Sequence, residues 1–481
     1  MGEDLSDLSI RRLRPPVKEV DLTVIGGGPG GYVCAIRAAQ LGLRTLLVEE
    51  KWLGGECLWA GCIPSKSLIT VAKLYEKVKE AERFGLLIDG VRIDYAALQK
   101  WKSEVISKLV SGIEALCRGN GVNVVMGEAE VGGREKVLVK SKEGVEEVKT
   151  KRIVIATGTR PADLPGIAFD GRLVISSKEA LELTSAPDEL LVVGGGVVGL
   201  EFACMYQKLG SRITVVELTD QLLPGSDPDL VRVVQKNLER RGGKVYLKSR
   251  VAAIEKRQAS VVAKVDTGAA VVTLEAEKLL LSVGRKPRTE KLNLSMIGVE
   301  TDQRGFIKTD ERMMTNVAGI YAVGDVRGPP LLAHKAFKEG VVAAESAAGL
   351  PTAGEWTTVP DAIFTDPEIA TAGLTEARAV AAGYNVKKNR FPFAALGRAL
   401  STGEPEGFVK IVSDASNGLV LGVQIVGPEA SNLISEAALA IEMGATVEDI
   451  ALTIHPHPTL SEGLMEAAEA AEGKPIHQLK V

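Results

Sequence analysis

Two of the five cysteines stand five residues apart in the segment GGECLWAGCIPSKSL, residues 54–68. On a regular helix that spacing rises about 7.5 Å and turns the side chains apart, which does not suit a disulfide. A bond between Cys57 and Cys62 therefore requires a helix that is irregular at its start or that begins near Cys62. Gly61 supplies backbone freedom for this break, and Pro64 suits the first turn of the following helix.

A cysteine near a helix N-terminus is expected to have a lowered thiol pKa, and Lys66 adds positive charge one turn later. We therefore expect Cys62 to be ionised and Cys57 to be the sulfur open to a substrate. A metal site is disfavoured, because no second cysteine pair follows and none of the four histidines is nearby in sequence. The alternative interpretation is a pair of structural cysteines.

Two of the four histidines lie in HPHPTLSE, residues 455–462, where two prolines restrict the backbone. Glu462 has two interpretations. It completes a capping box with Thr459, or it orients His457. A histidine held by a carboxylate would take the proton from an attacking thiol, so we predict His457 and Glu462 as an acid/base pair.

The elements that position these groups include two similar segments, residues 20–50 and 188–218, each patterned as strand, glycine cluster, helix and strand. Gly26, Gly28 and Gly31 fit the dinucleotide fingerprint, in which the backbone approaches a pyrophosphate at a helix N-terminus. Glu49 ends the second strand, where a carboxylate binds a ribose diol.

The second loop repeats the pattern with Gly194, Gly196 and Gly199, and Glu217 is its terminal acid. A carboxylate there would repel a 2′-phosphate, and the next three residues include no arginine. The loop therefore predicts NAD rather than NADP, against the alternative that Glu217 is only a structural strand-end residue.

Two dinucleotide sites in one chain indicate a bound flavin and an exchanging nicotinamide, so FAD and NAD are the predicted cofactors. A thiolate at Cys62 could then donate electron density to the flavin. ATGTRP (156–161) and SVGRKP (282–287) are strand ends with small-residue turns suited to a nearby cofactor. Asp325, in AVGDV, ends a strand where ligands bind in open α/β sheets, although a plain turn aspartate needs no function.

Composition excludes several other classes of protein. The net charge is −4 and aromatic residues make up 4% of the chain, which gives no indication of nucleic-acid binding. No apolar run reaches the ~18 residues of a membrane span, and the acidic start at residues 1–19 is unlike a secretory or transit signal. We expect a cytoplasmic protein with no membrane association.

The predicted fold class is α/β, with two Rossmann-like dinucleotide-binding domains and a C-terminal α+β dimerisation domain. The predicted divisions are an N-terminal extension (1–19), the first part of the FAD domain (20–158), the NAD domain (159–283), the second, central part of the FAD domain (284–355) and the interface domain (356–481).

From Val20 to Gly473 the chain resembles the flavin-dependent pyridine nucleotide–disulfide oxidoreductases, and among them the enzymes that oxidise dihydrolipoyl groups. The motifs occur in that family's order: GGGPGG, GGECLWAGCIPSK, ATGTRP, GGGVVGLE, VGDV, LLAHKA and HPHPTLSE. The resemblance implies a homodimer in which His457 and Glu462 act on the partner subunit's disulfide. It also implies ping-pong oxidation of dihydrolipoyl groups with NAD, serving lipoyl domains of 2-oxoacid dehydrogenase or glycine cleavage complexes.

The resemblance further implies that Lys66 pairs with Glu201 near the flavin and that residues 331–334 line it. The full predicted FAD set is Gly26, Gly28, Gly31, Glu49, Gly55, Lys66, Gly127, Thr157, Gly158, Asp325, Leu332, Ala333 and His334. The full predicted NAD set is Gly194, Gly196, Gly199, Glu201, Glu217, Val251 and Gly284.

The chain departs from the family pattern at Trp59, where the family usually has asparagine, and in the segment SSKEAL (176–181). An indole beside the redox pair could narrow access for a substrate. The tail GKPIHQLKV lacks the cysteine pair expected of a mercuric reductase. The segment after the second glycine loop lacks the arginines that would bind the 2′-phosphate of NADPH in a glutathione reductase. A transhydrogenase lacks the dithiol, and a coenzyme A disulfide reductase uses one cysteine. The remaining alternatives are a reductase of another small disulfide and a mainly structural subunit of a multienzyme complex.

Overall fold

A computed structural model describes residues 18–479. The predicted extension, residues 1–19, lies almost entirely outside the described residues.

The described strands are numbered in chain order: β1 (Glu19–Val20), β2 (Leu22–Ile25), β3 (Thr45–Glu49), β4 (Asn123–Met126), β5 (Glu128–Gly133), β6 (Lys136–Ser141), β7 (Gly144–Thr150), β8 (Ile153–Ile155), β9 (Thr159–Pro161), β10 (Val174–Ile175), β11 (Glu189–Val193), β12 (Arg212–Val216), β13 (Lys244–Tyr246), β14 (Arg250–Lys256), β15 (Val261–Asp266), β16 (Val271–Ala276), β17 (Lys278–Leu281), β18 (Arg285–Pro287), β19 (Ile320–Ala322), β20 (Asp361–Ile363), β21 (Glu368–Gly373), β22 (Val386–Pro392), β23 (Phe408–Asp414) and β24 (Val420–Gly427).

The described α-helices are α1 (Pro29–Gln40), α2 (Gly55–Ala60), α3 (Cys62–Lys79), α4 (Tyr95–Gly119), α5 (Ser177–Leu181), α6 (Val197–Lys208), α7 (Pro228–Arg240), α8 (Leu294–Ile297), α9 (Ala333–Ala347), α10 (Glu376–Ala381), α11 (Gly397–Ser401), α12 (Ala430–Glu442), α13 (Val447–Leu452) and α14 (Glu462–Ala471). Short 3₁₀ turns lie at Ala81–Phe84, Gly324–Arg327 and Phe393–Ala395.

The described residues form two compact units. The first runs to Ser67 and includes 94–162 and 284–355. The second contains 68–93, 163–283 and the chain from Trp356 onward. The predicted division into a leader and four segments stays a prediction.

The first unit is built on a five-stranded parallel sheet in the order β19-β8-β2-β3-β4. Its strands are short apolar runs such as LTVI and IVI that are buried throughout, as expected when helices cover both faces of a parallel sheet. Helix α1 packs on α9 so closely that a side chain at Gly340 would lie 2.4 Å from the Gly30 carbonyl oxygen. A four-stranded sheet, β1-β7-β6-β5, and the β18-β9 ribbon complete this unit.

The second unit contains a parallel sheet in the order β10-β17-β11-β12-β13 and an antiparallel sheet, β14-β15-β16. It also contains the antiparallel sheet β20-β21-β24-β23-β22, in which β23 and β24 are buried along their whole length. Side chains of Phe391, Phe393 and Ile411 form its core together with residues of α12 and α14. The predicted class of two Rossmann-like folds and a terminal α+β domain is confirmed.

Candidate active site

The predicted redox pair lies across a break between two helices. Helix α2 ends at Ala60, Gly61 takes a non-helical conformation (φ −145°, ψ −113°), and α3 begins at Cys62. The break brings Cys57 Sγ to 2.6 Å from Cys62 Sγ. The irregularity that the five-residue spacing required is therefore present, and Pro64 lies in the first turn of α3.

The surroundings of Cys57 differ from those of Cys34, which is fully buried. Contact with Cys62 and burial raise the pKa of Cys57, while Lys66 acts in the opposite direction. Burial alone raises the pKa of Cys34 to about 12, so that side chain stays a thiol. The sequence analysis did not place Tyr32, a residue of α1, near the redox pair. Burial and the neighbouring Cys57 raise the pKa of its phenol group. Its position one residue after the third glycine of the loop was the only available signal.

The first glycine loop has the shape that a dinucleotide phosphate requires. Gly26 has φ +103°, and a Cβ there would lie 2.4 Å from the Ala156 carbonyl oxygen. A Cβ at Gly31 would lie 1.8 Å from the Gly26 oxygen. Gly28, in contrast, borders open space, with Gly55 Cα 3.9 Å away, and no side chain caps α1 there. The first N–H groups of α1 are thus open to an anion, which fits the pyrophosphate of FAD.

Gly55 contributes to the same cradle. It has φ +65°, and a Cβ on it would lie 2.5 Å from Gly28 Cα, so α2 starts directly against the phosphate loop.

The second glycine loop repeats this geometry in the other unit. Gly194 has φ +103°, and a Cβ there would lie 2.5 Å from the Ser282 carbonyl oxygen. A Cβ at Gly199 would lie 2.1 Å from the Gly194 oxygen. Gly196, which precedes α6, has no atom within 4 Å of such a Cβ, and no side chain caps that helix. The loop therefore fits the phosphates of NAD in the same way.

The strand-end acids of both loops also hold the loop backbone, a role that the fingerprint did not predict. Glu49 Oε2 accepts from Gly27 N at 2.6 Å, and Oε1 accepts from Lys51 N at 2.7 Å. Glu217 Oε2 accepts from Gly195 N at 2.6 Å, and Oε1 accepts from Thr219 N at 2.8 Å. Each carboxylate thereby fixes the edge at which a ribose would sit.

Asp325 follows β19 at the carboxyl end of the parallel sheet, in the 3₁₀ turn Gly324–Arg327. Its Oδ2 accepts from Thr159 Oγ1 at 3.0 Å, and burial raises the pKa of its carboxyl group. Glu339, which sequence reasoning missed, is fully buried and accepts from Gly324 N at 2.6 Å. It holds the turn that presents Asp325, and it forms an ion pair with Lys335 at 3.0 Å.

The remaining predicted FAD residues lie at ends of elements in the first unit. Thr157 and Gly158 follow β8, and Thr157 Oγ1 donates to the Arg288 carbonyl oxygen at 2.7 Å. Gly127 follows β4 and donates from its N–H to the Glu49 carbonyl oxygen at 2.8 Å. Leu332, Ala333 and His334 form the start of α9. All of them remain predicted cofactor contacts.

The remaining predicted NAD residues are Glu201 and Val251 in the second unit and Gly284 in the first. Glu201 is buried in α6, and its Oε1 accepts from Phe364 N at 3.0 Å. Val251 lies in β14, just before a β-bulge. Gly284 has φ +120° where the chain returns to the first unit. Lys66 belongs to the first unit and Glu201 to the second, so their pairing stays a prediction.

His457 and Glu462 form the hydrogen bond that the tail motif predicted. His457 Nδ1 lies 2.8 Å from Glu462 Oε1, and the imidazole is 78% exposed. Glu462 Oε2 accepts from Thr459 N at 2.8 Å, so one carboxylate contacts both His457 and Thr459. The capping box is only half formed, because α14 begins at Glu462 and Thr459 Oγ1 donates to the Pro456 carbonyl oxygen instead. Burial raises the pKa of Glu462, but the bonds from Thr459 and His457 outweigh it, and the net pKa is lowered.

Two side chains of the redox helix α2 have contacts that sequence reasoning missed. Glu56 Oε2 lies 2.6 Å from an amino nitrogen of Arg285. The Trp59 ring, which departs from the family pattern, stacks on Trp52 with centroids 5.9 Å apart and donates from Nε1 to the Leu53 carbonyl oxygen at 3.0 Å. The Glu56 contact was not detectable from local spacing, because Arg285 lies in β18, far along the chain.

The site and fold together define a class of protein. The sequence profile "Pyridine nucleotide-disulphide oxidoreductase" matches residues 20–340, and the profile of that family's dimerisation domain matches residues 359–468. The chain therefore belongs to the pyridine nucleotide–disulfide oxidoreductase family. It is a flavoprotein oxidoreductase that uses FAD and NAD, and its dimerisation domain supports a homodimer.

Particular relatives narrow the comparison. Dihydrolipoyl dehydrogenases of Haloferax volcanii and Thermus scotoductus are each 47% identical to the chain, over 95% and 96% of it and 98% and 100% of their own lengths. That of Bacillus subtilis is 43% identical over 96% of the chain and 98% of its own length.

Two solved structures also share the fold. LpdA of Mycobacterium tuberculosis matches with a TM-score of 0.87 and 29% identity, covering 94% of the chain and 99% of its own. The HOCl-induced flavoprotein disulfide reductase RclA of Escherichia coli matches with a TM-score of 0.84 and 25% identity, covering 93% and 99%. Within residues 18–479, no helix combines the length and apolarity needed to span a membrane.

Proposed function

We propose that the chain oxidises dihydrolipoyl groups to the cyclic disulfide and transfers the electrons to NAD, with Cys57 and Cys62 as the redox centre. The observation that carries the proposal is the 2.6 Å approach of the two sulfur atoms at the start of α3. The chain's similarity to dihydrolipoyl dehydrogenases, at 43–47% identity over nearly the whole chain, supports the choice of substrate.

The first half of the reaction is an exchange between two disulfide couples. A dihydrolipoyl thiol loses its proton and attacks Cys57 Sγ, which breaks the Cys57–Cys62 bond and leaves Cys62 as a thiolate. The second dihydrolipoyl sulfur then displaces Cys57, closes the lipoyl ring and leaves Cys57 and Cys62 reduced by two electrons. FAD held at the N-terminus of α1 would supply an acceptor for these two electrons, and NAD held at the N-terminus of α6 would supply the final acceptor.

His457 is the proposed base for the attacking thiol. Glu462 Oε1 accepts a hydrogen bond from His457 Nδ1, which assigns the ring proton to Nδ1. Nε2 is then free of a proton and can take one from the substrate thiol. We propose that His457 and Glu462 of the partner subunit serve this disulfide, since the matched dimerisation domain contains both residues. An isolated subunit would then be inactive.

The cofactor contacts are proposed from the two cradles. The N-terminus of α1, with Glu49 and Asp325, would bind FAD, and the N-terminus of α6, with Glu217, would bind NAD. The Glu217 carboxylate would repel the 2′-phosphate of NADP. Lys66 and Glu201 are proposed as the pair beside the flavin. The proposed partners are lipoyl domains of a 2-oxoacid dehydrogenase or glycine cleavage complex.

A substrate panel tests the function. Wild type, Cys57→Ser and Cys117→Ser are assayed with dihydrolipoamide and NAD, and with glutathione disulfide or coenzyme A disulfide and each of NADH and NADPH. Cys117 is buried in α4, so its variant controls for loss of a cysteine as such. We expect NADH formation with dihydrolipoamide in the wild type and Cys117→Ser, and none in Cys57→Ser.

Activity retained by Cys57→Ser would overturn the dithiol mechanism. A higher kcat/KM for another disulfide would identify the chain as a reductase of that compound. Absence of turnover with every substrate would favour a structural subunit.

A further inference from the structure

Helix α2 carries Cys57 but has only six residues. A helix of that length is not stable by itself in water, because nucleation consumes most of its hydrogen-bonding gain. Gly54, which precedes the helix, and Gly55, its first residue, both have positive φ, and the non-helical Gly61 follows its last residue. The position of Cys57 against Cys62 therefore depends on what holds α2 from outside.

The first external contact is an ion pair from the residue before Cys57. Glu56 Oε2 lies 2.6 Å from Arg285 and 3.6 Å from Arg288, and the Glu56 and Arg285 side chains are only 25% and 21% exposed. Arg285 is itself fixed, since it donates from Nε to Thr159 Oγ1 at 2.7 Å. Glu56 is thus tied to the β18-β9 ribbon, which is held in turn to Asp325 through Thr159.

The second contact is aromatic. Trp59 stacks on Trp52, with ring centroids 5.9 Å and planes 20° apart, and donates to the Leu53 carbonyl oxygen at 3.0 Å. The same indole packs in a cluster with Ile106 and Val110 of α4. Trp59 therefore ties α2 both to the segment before it and to a helix distant in sequence.

The two contacts hold one side of α2. Residues 56 and 59 are three apart, so their side chains point about 60° from each other, while that of Cys57 points about 100° or more from both. The sulfur atom thus projects from a side of α2 that these two contacts do not occupy.

We propose that Glu56, through Arg285, and Trp59, through Trp52, are positioning residues that hold Cys57 against Cys62 and so set the equilibrium between disulfide and dithiol. The inference rests on the proposed redox function of the pair. A disulfide forms only over a narrow range of Cα and Cβ separations. Fixing two reacting groups in that range raises their effective concentration. Releasing α2 gives the dithiol conformations in which the bond cannot form, and reduction becomes more favourable.

The test uses the FAD-loaded dimer in buffers of reduced and oxidised dithiothreitol, without NAD or lipoyl substrate. One disulfide gains two electrons and two protons from the reduced reagent, which closes its own ring. The fraction of Cys57 alkylated at each ratio, measured by mass spectrometry, gives the equilibrium constant. The variants are Glu56→Ala, Glu56→Asp, Trp59→Leu and Trp59→Phe.

The control variant is Glu290→Gln. Its parent residue forms an ion pair with Arg160 of the β9 strand at 3.0 Å, so it removes a carboxylate near the same ribbon without touching α2. Alanine also has a higher helix propensity than glutamate, so weakening of α2 by Glu56→Ala cannot arise from propensity.

We expect Glu56→Ala and Trp59→Leu each to shift the equilibrium about tenfold toward the dithiol, which is about 30 mV for a two-electron couple. Trp59→Phe, which keeps a ring to stack, and Glu56→Asp, which keeps the charge, should each give a smaller shift. Glu290→Gln should match the wild type. A purely structural role would lower the melting temperature and leave the equilibrium constant unchanged.

Equilibrium constants within twofold of wild type in both Glu56→Ala and Trp59→Leu would overturn the inference. If either variant loses FAD, Glu56→Gln or Trp59→Met, which also removes the ion pair or the stacked ring, replaces it under the same criterion. A wild type whose Cys57 alkylation does not respond to dithiothreitol would instead refute the proposed function.

Discussion

The substitution Glu462→Gln separates the orienting role of this carboxylate from its shape. Glutamine preserves the size of the side chain and an oxygen that can accept from Thr459 N. Its amide group then faces His457 Nδ1, which must become an acceptor. The proton moves to Nε2, and the imidazole loses the lone pair that would take the proton from a substrate thiol.

The magnitude follows from the hydrogen bond and its surroundings. A charge-assisted hydrogen bond contributes about 1.5–3 kcal/mol, and the exposure of His457 favours the lower part of this range. Each 1.36 kcal/mol of barrier is about tenfold in rate, so the bond alone accounts for about 10–30-fold, and the tautomer change adds to this. We expect kcat with dihydrolipoamide to fall about 10–100-fold.

The assay is NADH formation from pH 6 to 8. Because the pKa of Glu462 is lowered, its carboxylate stays ionised across this range, and its contribution would be lost only as the pH falls through that lowered value. The loss in Glu462→Gln should therefore persist over the whole range. Glu466→Gln is the matched control, since Glu466 lies in the same helix as Glu462 and its carboxylate also binds a histidine, His477, at Nδ1 (2.6 Å). Turnover of Glu462→Gln within twofold of the control would refute the reasoning.

Three further predictions concern the cradles and the stability of the tail. Glu217→Gln should lower kcat/KM for NAD about tenfold, because one charged hydrogen bond is worth about 1.5–3 kcal/mol. It should also reduce the ratio of kcat/KM for NAD to that for NADP. An unchanged ratio would contradict the assignment. Gly31→Ala should abolish stable FAD binding, because its Cβ would lie 1.8 Å from the Gly26 oxygen, and flavin absorbance after gel filtration measures it; full flavin content would show that the loop yields. The hydrogen bond to Glu436 raises the pKa of His455 above its ordinary value of 6.5. The pair therefore stabilises the fold fully at pH values below 6.5 and loses that effect as the pH rises through the raised pKa of the folded state. Glu436→Gln should therefore lower Tm more at pH 6 than at pH 9, and an equal decrease at both values would argue against the linkage.

The local patterns predicted the parts of the fold that depend on short-range geometry. The two glycine loops are recognisable because Gly26 and Gly194 require positive φ and leave no room for a side chain. The helix break before Cys62 was predicted on the condition that Cys57 and Cys62 bond, because a five-residue spacing on a regular helix separates the sulfur atoms. The terminal strands β23 and β24 were predictable because they are short runs rich in valine and isoleucine.

The contacts that the sequence did not reveal are those between distant segments. Glu56 and Arg285 are 229 positions apart by subtraction of their residue numbers, and no local pattern links them. The buried Glu339 was not singled out from the sequence, because the Gly324 N–H that it binds lies in the turn before α9. The packing of the Trp59 ring on Trp52 and α4 was also not predicted, and its predicted effect on access for a substrate stays a prediction.

The most direct test of the central claim is which cysteines change their oxidation state on reaction with dihydrolipoamide. The protein is treated with or without this substrate in the absence of air, unfolded in an alkylating reagent and analysed by mass spectrometry. We predict that substrate increases alkylation of Cys57 and Cys62 together. Cys34, Cys117 and Cys204 are buried and should be alkylated equally in both samples. An unchanged Cys57 and Cys62, or a change at one of the three buried cysteines, would contradict the account.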